Sequence, residues 1–399
     1  MTMHAGRRSC FPAIALFAAL VFPAAVPAVE TGGHLKSLNL HFQEGPLGRI
    51  PDGEVSSNSL RLDFADRPGA DLKWELSLEN QLLYTDPPGF VPLPGRSPNR
   101  VLDMETTWNE NERFANRLVV DRLNIRGRSA GINWSLGRQA VGFGRMTIFS
   151  PLDAVSPFAP DALDTDIRPG IDAVQFIRYF GLGGQLGATA VFSDDSSDHS
   201  WLGTASHNVS GIDFLGIFGT LRDREMGGAG LAGNLGGLGL KAEAAHYNGK
   251  ENDFRSKYAI AAAEAWYRLD NGLVLLLEYL YNGAGSSDPA DYQQVAASAA
   301  HREGLSFLVG RHYLMAAPSY EPNPLTTLST LLIWNLEDDS FLLRPMADFS
   351  LSDSTDLEVF WTFNSGATAT AGPLPEVFVP RSEFGLVGDS GGLFLKYYF

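Results

Sequence analysis

The sequence predicts an all-β fold, a transmembrane antiparallel up-and-down β-barrel of about 18 strands, with 16 as the alternative count. Three observations predict it. Apolar and polar residues alternate in segment after segment, short turns alternate with long polar connections, and the chain ends in an aromatic strand. A secreted β-helix or propeller is the alternative that composition alone allows, but we find no fixed-period repeat to support either.

The first 28 residues have the pattern of a secretory signal peptide. A basic pair, Arg7-Arg8, precedes an apolar run over 11–22, and small residues then offer a cleavage site after Ala28. The run is too short for a membrane anchor. We therefore expect 1–28 to be a cleaved signal peptide and 29–399 to form the barrel. The single cysteine, Cys10, lies within the signal peptide.

Composition narrows the class of protein. The chain has 30 basic and 46 acidic residues, a net charge of −16, and no basic run, which argues against nucleic acid as a partner. After the signal peptide, no apolar stretch reaches the length of a membrane helix. A membrane location would therefore depend on strands.

Each predicted strand has one apolar and one polar row. Examples of the apolar rows are Leu38, Leu40 and Phe42; Leu60, Leu62 and Phe64; Leu72, Trp74, Leu76 and Leu78; Leu123 and Ile125; Leu238, Leu240, Ala242 and Ala244; and Leu357, Val359, Trp361 and Phe363. In a membrane barrel these rows face lipid and the polar rows face a wet lumen, whereas in a soluble sandwich they share a dry core. Alternation alone does not separate the two.

The connections favour the membrane barrel. Tight turns are predicted at 67–70, 129–131, 181–183, 207–210, 236–237, 270–272 and 352–354. Long segments alternate with them at 45–57, 85–116, 142–169, 194–199, 249–257, 283–303 and 366–389. Short connections on one side and long ones on the other are typical of an outer-membrane barrel, whose two chain ends lie in the periplasm.

The segment 142–169 departs from the strand pattern. Four prolines, Pro151, Pro157, Pro160 and Pro169, exclude ordinary strand pairing, and many apolar residues make it a poor solvated loop. We expect it to fold inward as a constriction loop, since long structured loops are usually functional. An external loop packed on its neighbours is the alternative.

Two resemblances to known proteins add to these patterns. The last strand, with Leu393, Leu395, Tyr397 and Phe399 on one face, resembles the C-terminal strand of bacterial outer-membrane proteins. That resemblance implies that Tyr397 and Phe399 are a signal read by the barrel assembly machinery. A closing strand is also needed physically, because pairing it with the first strand removes the open sheet edge.

Further short motifs resemble porin-like outer-membrane barrels of the alginate-export type. They are Gly137-Arg138-Gln139, Gly142 and Gly144, Ser150-Pro151-Leu152-Asp153, Arg168-Pro169-Gly170-Ile171-Asp172, Asn335-Leu336-Glu337-Asp338-Asp339-Ser340 and Ser382-Glu383-Phe384-Gly385. Gly142-Phe143-Gly144 departs from the family form, which has Trp before the second Gly. The resemblance implies a barrel with a channel and does not imply alginate as the solute.

The sequence thus predicts a passive channel in the bacterial outer membrane for small or extended polar solutes. The alternatives are an export conduit for an acidic polysaccharide and, in a different class, a barrel enzyme or adhesin. We find no nucleophile elbow and no zinc-protease motif, and we expect no enzyme activity, cofactor or metal. The expected partners are outer-membrane lipid and a polar or anionic solute or glycan.

Charged residues near the loop are the predicted selectivity site. The arginines are Arg122, Arg126, Arg128, Arg138 and Arg145, and the loop acids are Asp153, Asp161, Asp164 and Asp166. Opposed charge rows at a constriction would create a transverse field that orients dipolar solutes and attracts carboxylates. The alternative is that the arginines pair with the loop acids and only anchor the loop.

Overall fold

The computed structural model describes residues 29–46, 51–88, 99–181, 183–249, 253–371 and 378–399. The predicted signal peptide, 1–28, lies outside these residues. No helix in the described part of the chain is long and apolar enough to cross a membrane.

Almost all of the regular structure is β-strand, because each segment alternates and ends at turn-forming residues. The strands are β1 Glu30–Phe42, β2 Gly53–Gly69, β3 Leu72–Asp86, β4 Glu105–Trp108, β5 Phe114–Ser129, β6 Ile132–Gln139, β7 Ile171–Phe180, β8 Gly184–Val191, β9 Ser200–Val209, β10 Ile212–Thr220, β11 Arg224–Leu235, β12 Leu238–Gly249, β13 Lys257–Arg268, β14 Val274–Asn282, β15 His312–Ala316, β16 Ser319–Asn323, β17 Thr326–Asn335, β18 Phe341–Ser352, β19 Thr355–Ser365, β20 Thr370–Ala371, β21 Phe378–Val379 and β22 Ser390–Tyr398.

Successive strands pair antiparallel, and β1 pairs with β22 to close the sheet into a barrel. The sheet has 20 strands. β15 and β16 share one position between β14 and β17, and β4 is an accessory strand beside one end of β5. The ring therefore has 18 strands, which confirms the predicted count and fold class.

The two ends of the barrel differ as predicted. The tight turns lie at the end where the chain enters β1 and leaves β22, and the long connections lie at the other end. One long connection, 283–311, contains the short helices α1 Tyr292–Ala296 and α2 Ala299–Arg302. The turn at 324–325 was not predicted, and the connections at 221–223 and 336–340 are short although they lie at the long-loop end.

The outer face has a belt of exposed apolar side chains, as a lipid-facing surface requires. In β22 the predicted row is confirmed, with Leu393, Leu395, Tyr397 and Phe399 exposed by 42–53%. The opposite row of the same strand points inward and contains Phe394, which is 3% exposed.

The predicted orientation of β1 is wrong. Lys36 is 2% exposed and points inward, where it binds loop carboxylates, and Leu38, two residues on, lies on the same inner face. Leu40 and Phe42 follow Leu38, so this apolar row faces the lumen, and the polar row that includes Asn39 faces outward. The burial of Lys36 with its acidic partners shows which face of β1 points inward. The alternation of apolar and polar residues alone cannot show this.

Deleting Phe399 is expected to impair assembly into the membrane more than it alters a preassembled channel. Phe399 exchanges two backbone hydrogen bonds with Gly33 of β1, at 2.9 and 3.1 Å, so the deletion shortens the closing pair of strands. The measurement is the amount of heat-modifiable folded protein in cells. Wild-type levels would contradict a role for this residue in assembly.

The inward loop and the charged lumen

Residues 140–170, between β6 and β7, form one segment that we call the inward loop. Four of its apolar side chains are almost fully buried: Val141, Phe149, Leu152 and Val155 are at most 4% exposed. They pack in one hydrophobic cluster with inward-facing residues of the barrel wall such as Ile217. The loop therefore folds into the barrel, as the sequence predicts, because only there can its apolar residues leave water.

Three carboxylates on successive strands bind the first half of the loop. Glu243 of β12, Glu264 of β13 and Glu278 of β14 are 4%, 2% and 0% exposed, and we call them the glutamate seat. They accept hydrogen bonds from the backbone N–H groups of Arg145 (2.7 Å), Thr147 (2.6 Å), Ile148 (3.3 Å), Phe149 (3.1 Å) and Leu152 (3.3 Å) and from the hydroxyl of Ser150.

The glutamate seat provides hydrogen-bond acceptors for the backbone N–H groups of the inward loop. An irregular segment inside a barrel has backbone donors that no strand ladder satisfies, and buried unpaired donors are costly. A hydrogen bond to a charged acceptor contributes about 1.5–3 kcal/mol, so several of them fix this half of the loop to the wall. Lys241 lies 2.8 Å from Glu264 and offsets part of the negative charge.

The second half of the loop binds the wall where the barrel closes. Lys36 of β1 donates to Asp164 at 2.9 Å and to Asp166 at 2.8 Å. On β22, Tyr398 donates to Asp166 at 2.8 Å and Lys396 lies 3.7 Å from the same carboxylate. We call these five residues the seam clasp. Lys36 and Lys396 are directly opposite across the seam, so the two acids offset a like-charge pair.

The loop returns to the wall beside Asp121 of β5. This buried carboxylate accepts hydrogen bonds from Arg61 (2.7 Å), Arg100 (3.2 Å), Arg122 (2.6 Å) and the backbone N–H of Gly170 (2.8 Å). Arg122 also donates to the carbonyl of Arg168 at 2.5 Å. Among the predicted arginines, Arg122 therefore has the contacts of a loop anchor.

The other predicted arginines separate into different environments. Arg138 is 1% exposed and is enclosed by Asp172, at 2.8 and 3.0 Å, and by two backbone carbonyls, so it belongs to the wall rather than to a water path. Arg126 keeps 45% of its side chain exposed beside Glu75, at 2.5 Å, and Arg128 is exposed on the same strand. The half-buried Arg145 contacts the glutamate seat through its backbone.

Two of the predicted loop acids lie outside the seam clasp. Asp153 pairs with Arg168 of the same loop at 2.5 Å. Burial raises the pKa of the Asp153 carboxyl to about 6, although Arg168 acts in the opposite direction. The backbone carbonyl of Asp161 accepts from Arg344 of β18 at 2.7 Å. Six of the nine predicted charges thus have a partner of opposite charge among the described residues: Arg122, Arg126, Arg138, Asp153, Asp164 and Asp166.

A cavity of about 480 Å³ remains at the tight-turn end of the lumen. Basic and amide side chains line it, with one acid nearby: Arg67, Asp71, Lys73, Arg126, Arg128, Asn133, Gln139 and Gln175. Donors of this kind bind the oxygen atoms of polar and anionic solutes.

The glutamate seat, Lys36 and Asp121 were not predicted from the sequence. Each is a single charge in an otherwise ordinary polar row, and its partners in the inward loop lie 49 to 130 residues away. The available signal was the recurrence of one inward glutamate in each of three consecutive strands.

A closed 18-stranded antiparallel barrel with an apolar outer belt and a loop folded into a charged lumen has the fold of porin-like β-barrels. Three solved structures share this fold: OccAB4 of Acinetobacter baumannii (TM-score 0.59, 10% identity, 95% of this chain and 100% of that one), OccAB1 of the same organism (0.56, 11%, 92% and 96%) and OccK8 (OprE) of Pseudomonas aeruginosa (0.55, 10%, 93% and 98%). No family model and no curated protein matches the sequence.

Proposed function

We propose that the protein is a porin-like channel of the bacterial outer membrane, exported with a cleaved signal peptide, through which small polar or anionic solutes pass passively. The inward loop is the constriction. The observation that carries this proposal is the attachment of one loop at three places on the inner wall, at the glutamate seat, the seam clasp and Asp121. A loop held in this way narrows the lumen without depending on a ligand.

Conductance of the purified protein in planar bilayers tests the proposal. Stepwise, ohmic conductance in simple salt is expected, together with a reversal potential in a salt gradient that reports ion preference. A barrel that inserts and gives no conductance would contradict the channel and leave the enzyme or adhesin class.

Export of an acidic polysaccharide is the alternative that follows from the sequence resemblance to alginate-export-type barrels. It stays a prediction, since the similar solved structures have other names. To test this alternative, short acidic oligosaccharides are added to either side of the bilayer. Their passage is measured as transient blocks of the current.

Two single variants separate ion selectivity from loop anchoring. Arg126→Ala removes an exposed cation from the cavity and is expected to shift the reversal potential toward cations with conductance nearly kept. Arg122→Ala removes the contacts with Asp121 and Arg168 and is expected to loosen the loop and raise conductance for both ions. If neither variant changes the reversal potential or the conductance, neither residue acts in the pore.

Ion selectivity is also expected to depend on pH through Asp153. Its pKa is raised to about 6, so the carboxylate is charged at pH 7.5 and gains a proton as the pH falls to 5. The neighbouring Arg168 then loses its counter-charge, while Glu243 remains nearby as the other acid. Selectivity should move toward anions in acid, as read from the reversal potential. Asp153→Asn is the control, and it should remove this step.

A further inference from the structure

The outer face of β11, β12 and β13 has an apolar groove that the channel does not use. One row across the three strands reads Ala229, Ala244 and Ala261, and the next pairs Ala242 with Ala263. A cavity of about 450 Å³ lies over these alanines. We call this cavity, with the five alanines as its floor, the alanine groove.

The strand alternation shows that the alanine groove faces outward. Glu243 lies between Ala242 and Ala244 and points inward, where it accepts a hydrogen bond from the inward loop. The two alanines therefore point away from the lumen. Phe214 of β10 and Tyr279 of β14, both exposed on the outer face, form the walls of the groove. The groove is thus continuous with the apolar outer belt.

A polar cavity of about 860 Å³ lies at the long-loop end of the same strands, and we call it the polar recess. One row of its lining crosses five strands and reads Trp201, Thr220, Glu225, Asn248 and Lys257. A single outward row separates it from the alanine groove. On β11 that row has Gly227, where a side chain would meet only open space. The recess therefore continues into the groove along β11.

The length of the apolar track matches one leaflet of a bilayer. On β13 every outward position from Ala259 to Ala265 is alanine, and Lys257 and Tyr267 stand at its two ends. Six residues rise about 20 Å along a strand, which is about 15 Å along the membrane normal at a tilt of about 40°. The hydrocarbon core is about 30 Å thick, so a spanning helix would extend beyond the track. A single acyl chain fits it and can contact the floor and both walls.

The charges of the polar recess disfavour a phosphate as the polar head of such a lipid. Among the described residues that line it, Asp223 and Glu225 balance Arg224 and Lys257. Arg224 is also bound by Glu303, at 2.6 and 2.9 Å. A phosphate group in the recess would therefore meet two carboxylates as well as the cations, and like charges repel.

A hydroxyl-rich head finds complementary groups in the same recess. Sugar hydroxyls both donate and accept, so they can bind the carboxylate of Glu225, the amide of Asn248 and the hydroxyl of Thr220. The indole of Trp201 is 58% exposed beside them. An apolar ring with one polar N–H suits a surface where apolar and hydroxylated parts of a ligand meet.

We propose that the outer face of β11–β13 binds one glycolipid of the leaflet at the long-loop end, with an acyl chain in the alanine groove and the sugar head in the polar recess. This proposal rests on the membrane location proposed above and not on conduction. Conductance is measured separately in planar bilayers, so a channel that binds no glycolipid would overturn this proposal alone.

Native mass spectrometry of the full-length protein tests the proposal with three detergents that share one alkyl chain. Dodecyl maltoside has a sugar head, octaethylene glycol dodecyl ether has none, and dodecylphosphocholine has a phosphate. We expect a dodecyl maltoside adduct that survives activation, while the other two detergents are lost. Equal retention of all three, or retention of none, would overturn the proposal.

Filling the groove tests the position of the alkyl chain. Ala244→Phe places an aromatic ring over the floor and leaves the outer face apolar, so the barrel should fold, as checked by heat-modifiable mobility. Loss of the dodecyl maltoside adduct is expected. Ala188→Phe, at an exposed position of β8, is the matched control and should retain it. An adduct that survives Ala244→Phe, or is lost in both variants, would contradict this position.

A third variant tests the position of the sugar head. Trp201→Leu removes the indole from the polar recess and leaves the alanine groove intact. Retention of dodecyl maltoside is expected to fall to that of the ether with the same alkyl chain. If the preference for the sugar head is unchanged in this variant, the head does not lie against Trp201 and the assignment of the polar recess is wrong.

Discussion

Replacing Glu243 and Glu278 together with alanine is expected to release the first half of the inward loop and to raise single-channel conductance for both ions. The change removes the acceptors of four backbone N–H groups and one hydroxyl. Each of these bonds contributes about 0.5–3 kcal/mol, so the loss of all five exceeds what the remaining contact at Glu264 supplies. Planar-bilayer recordings should show larger and noisier openings.

The matched control is the same pair of positions changed to glutamine. An amide oxygen still accepts hydrogen bonds from the loop, so Glu243→Gln with Glu278→Gln should keep most of the constriction while removing both carboxyl groups. If the glutamine and alanine variants conduct alike, charge and not loop seating controls the conductance. If the single-channel conductance is unchanged in both variants, the glutamate seat does not control conductance.

Leu240→Arg is expected to destabilise the barrel by about 2–4 kcal/mol if the residue lies near the membrane midplane. Leu240 is 37% exposed on the lipid-facing row of β12, and a guanidinium there has no polar partner in hydrocarbon. The same argument applies to Leu76 on β3. Urea titration of the folded protein in lipid vesicles, followed by heat-modifiable mobility, measures the change.

The control for this prediction comes from the inner face. Ser77 and Ala245 lie on that face but are 5% and 2% exposed, so an arginine at either would also overpack the wall. Gln175, half-buried beside the tight-turn cavity, has room for the longer side chain. Gln175→Arg should cost far less stability than Leu240→Arg. Equal costs on both faces would mean that the outer face does not meet lipid.

The sequence was sufficient for the barrel because strand alternation and turn residues are local properties. The apolar row of β22 and the inward folding of a proline-rich, apolar loop could both be predicted in this way. β1 shows the limit of local patterns, because its sequence alone does not show which of its two rows faces lipid. Its orientation depends on Lys36 meeting Asp164, a partner 128 residues away.

The candidate site was less predictable for the same reason. Arg122 and Arg138 look alike in sequence, yet one anchors the loop and the other is enclosed in the wall beside Asp172. The loop acids were expected to face the arginines, and two of them instead bind lysines at the seam. The partner of each charged residue depends on which strands become neighbours when the sheet closes, and no local sequence pattern indicates this.

The seam clasp has a consequence for the order in which the molecule assembles. Its cations come from the first strand and the last, Lys36 and Lys396, so the two ends of the polypeptide must meet before both can face the same carboxylate. Asp166 therefore has its full set of partners only after the ring has closed. The second half of the inward loop can take its final position only late in assembly. A nascent barrel whose last strand is not yet paired therefore has an incomplete constriction.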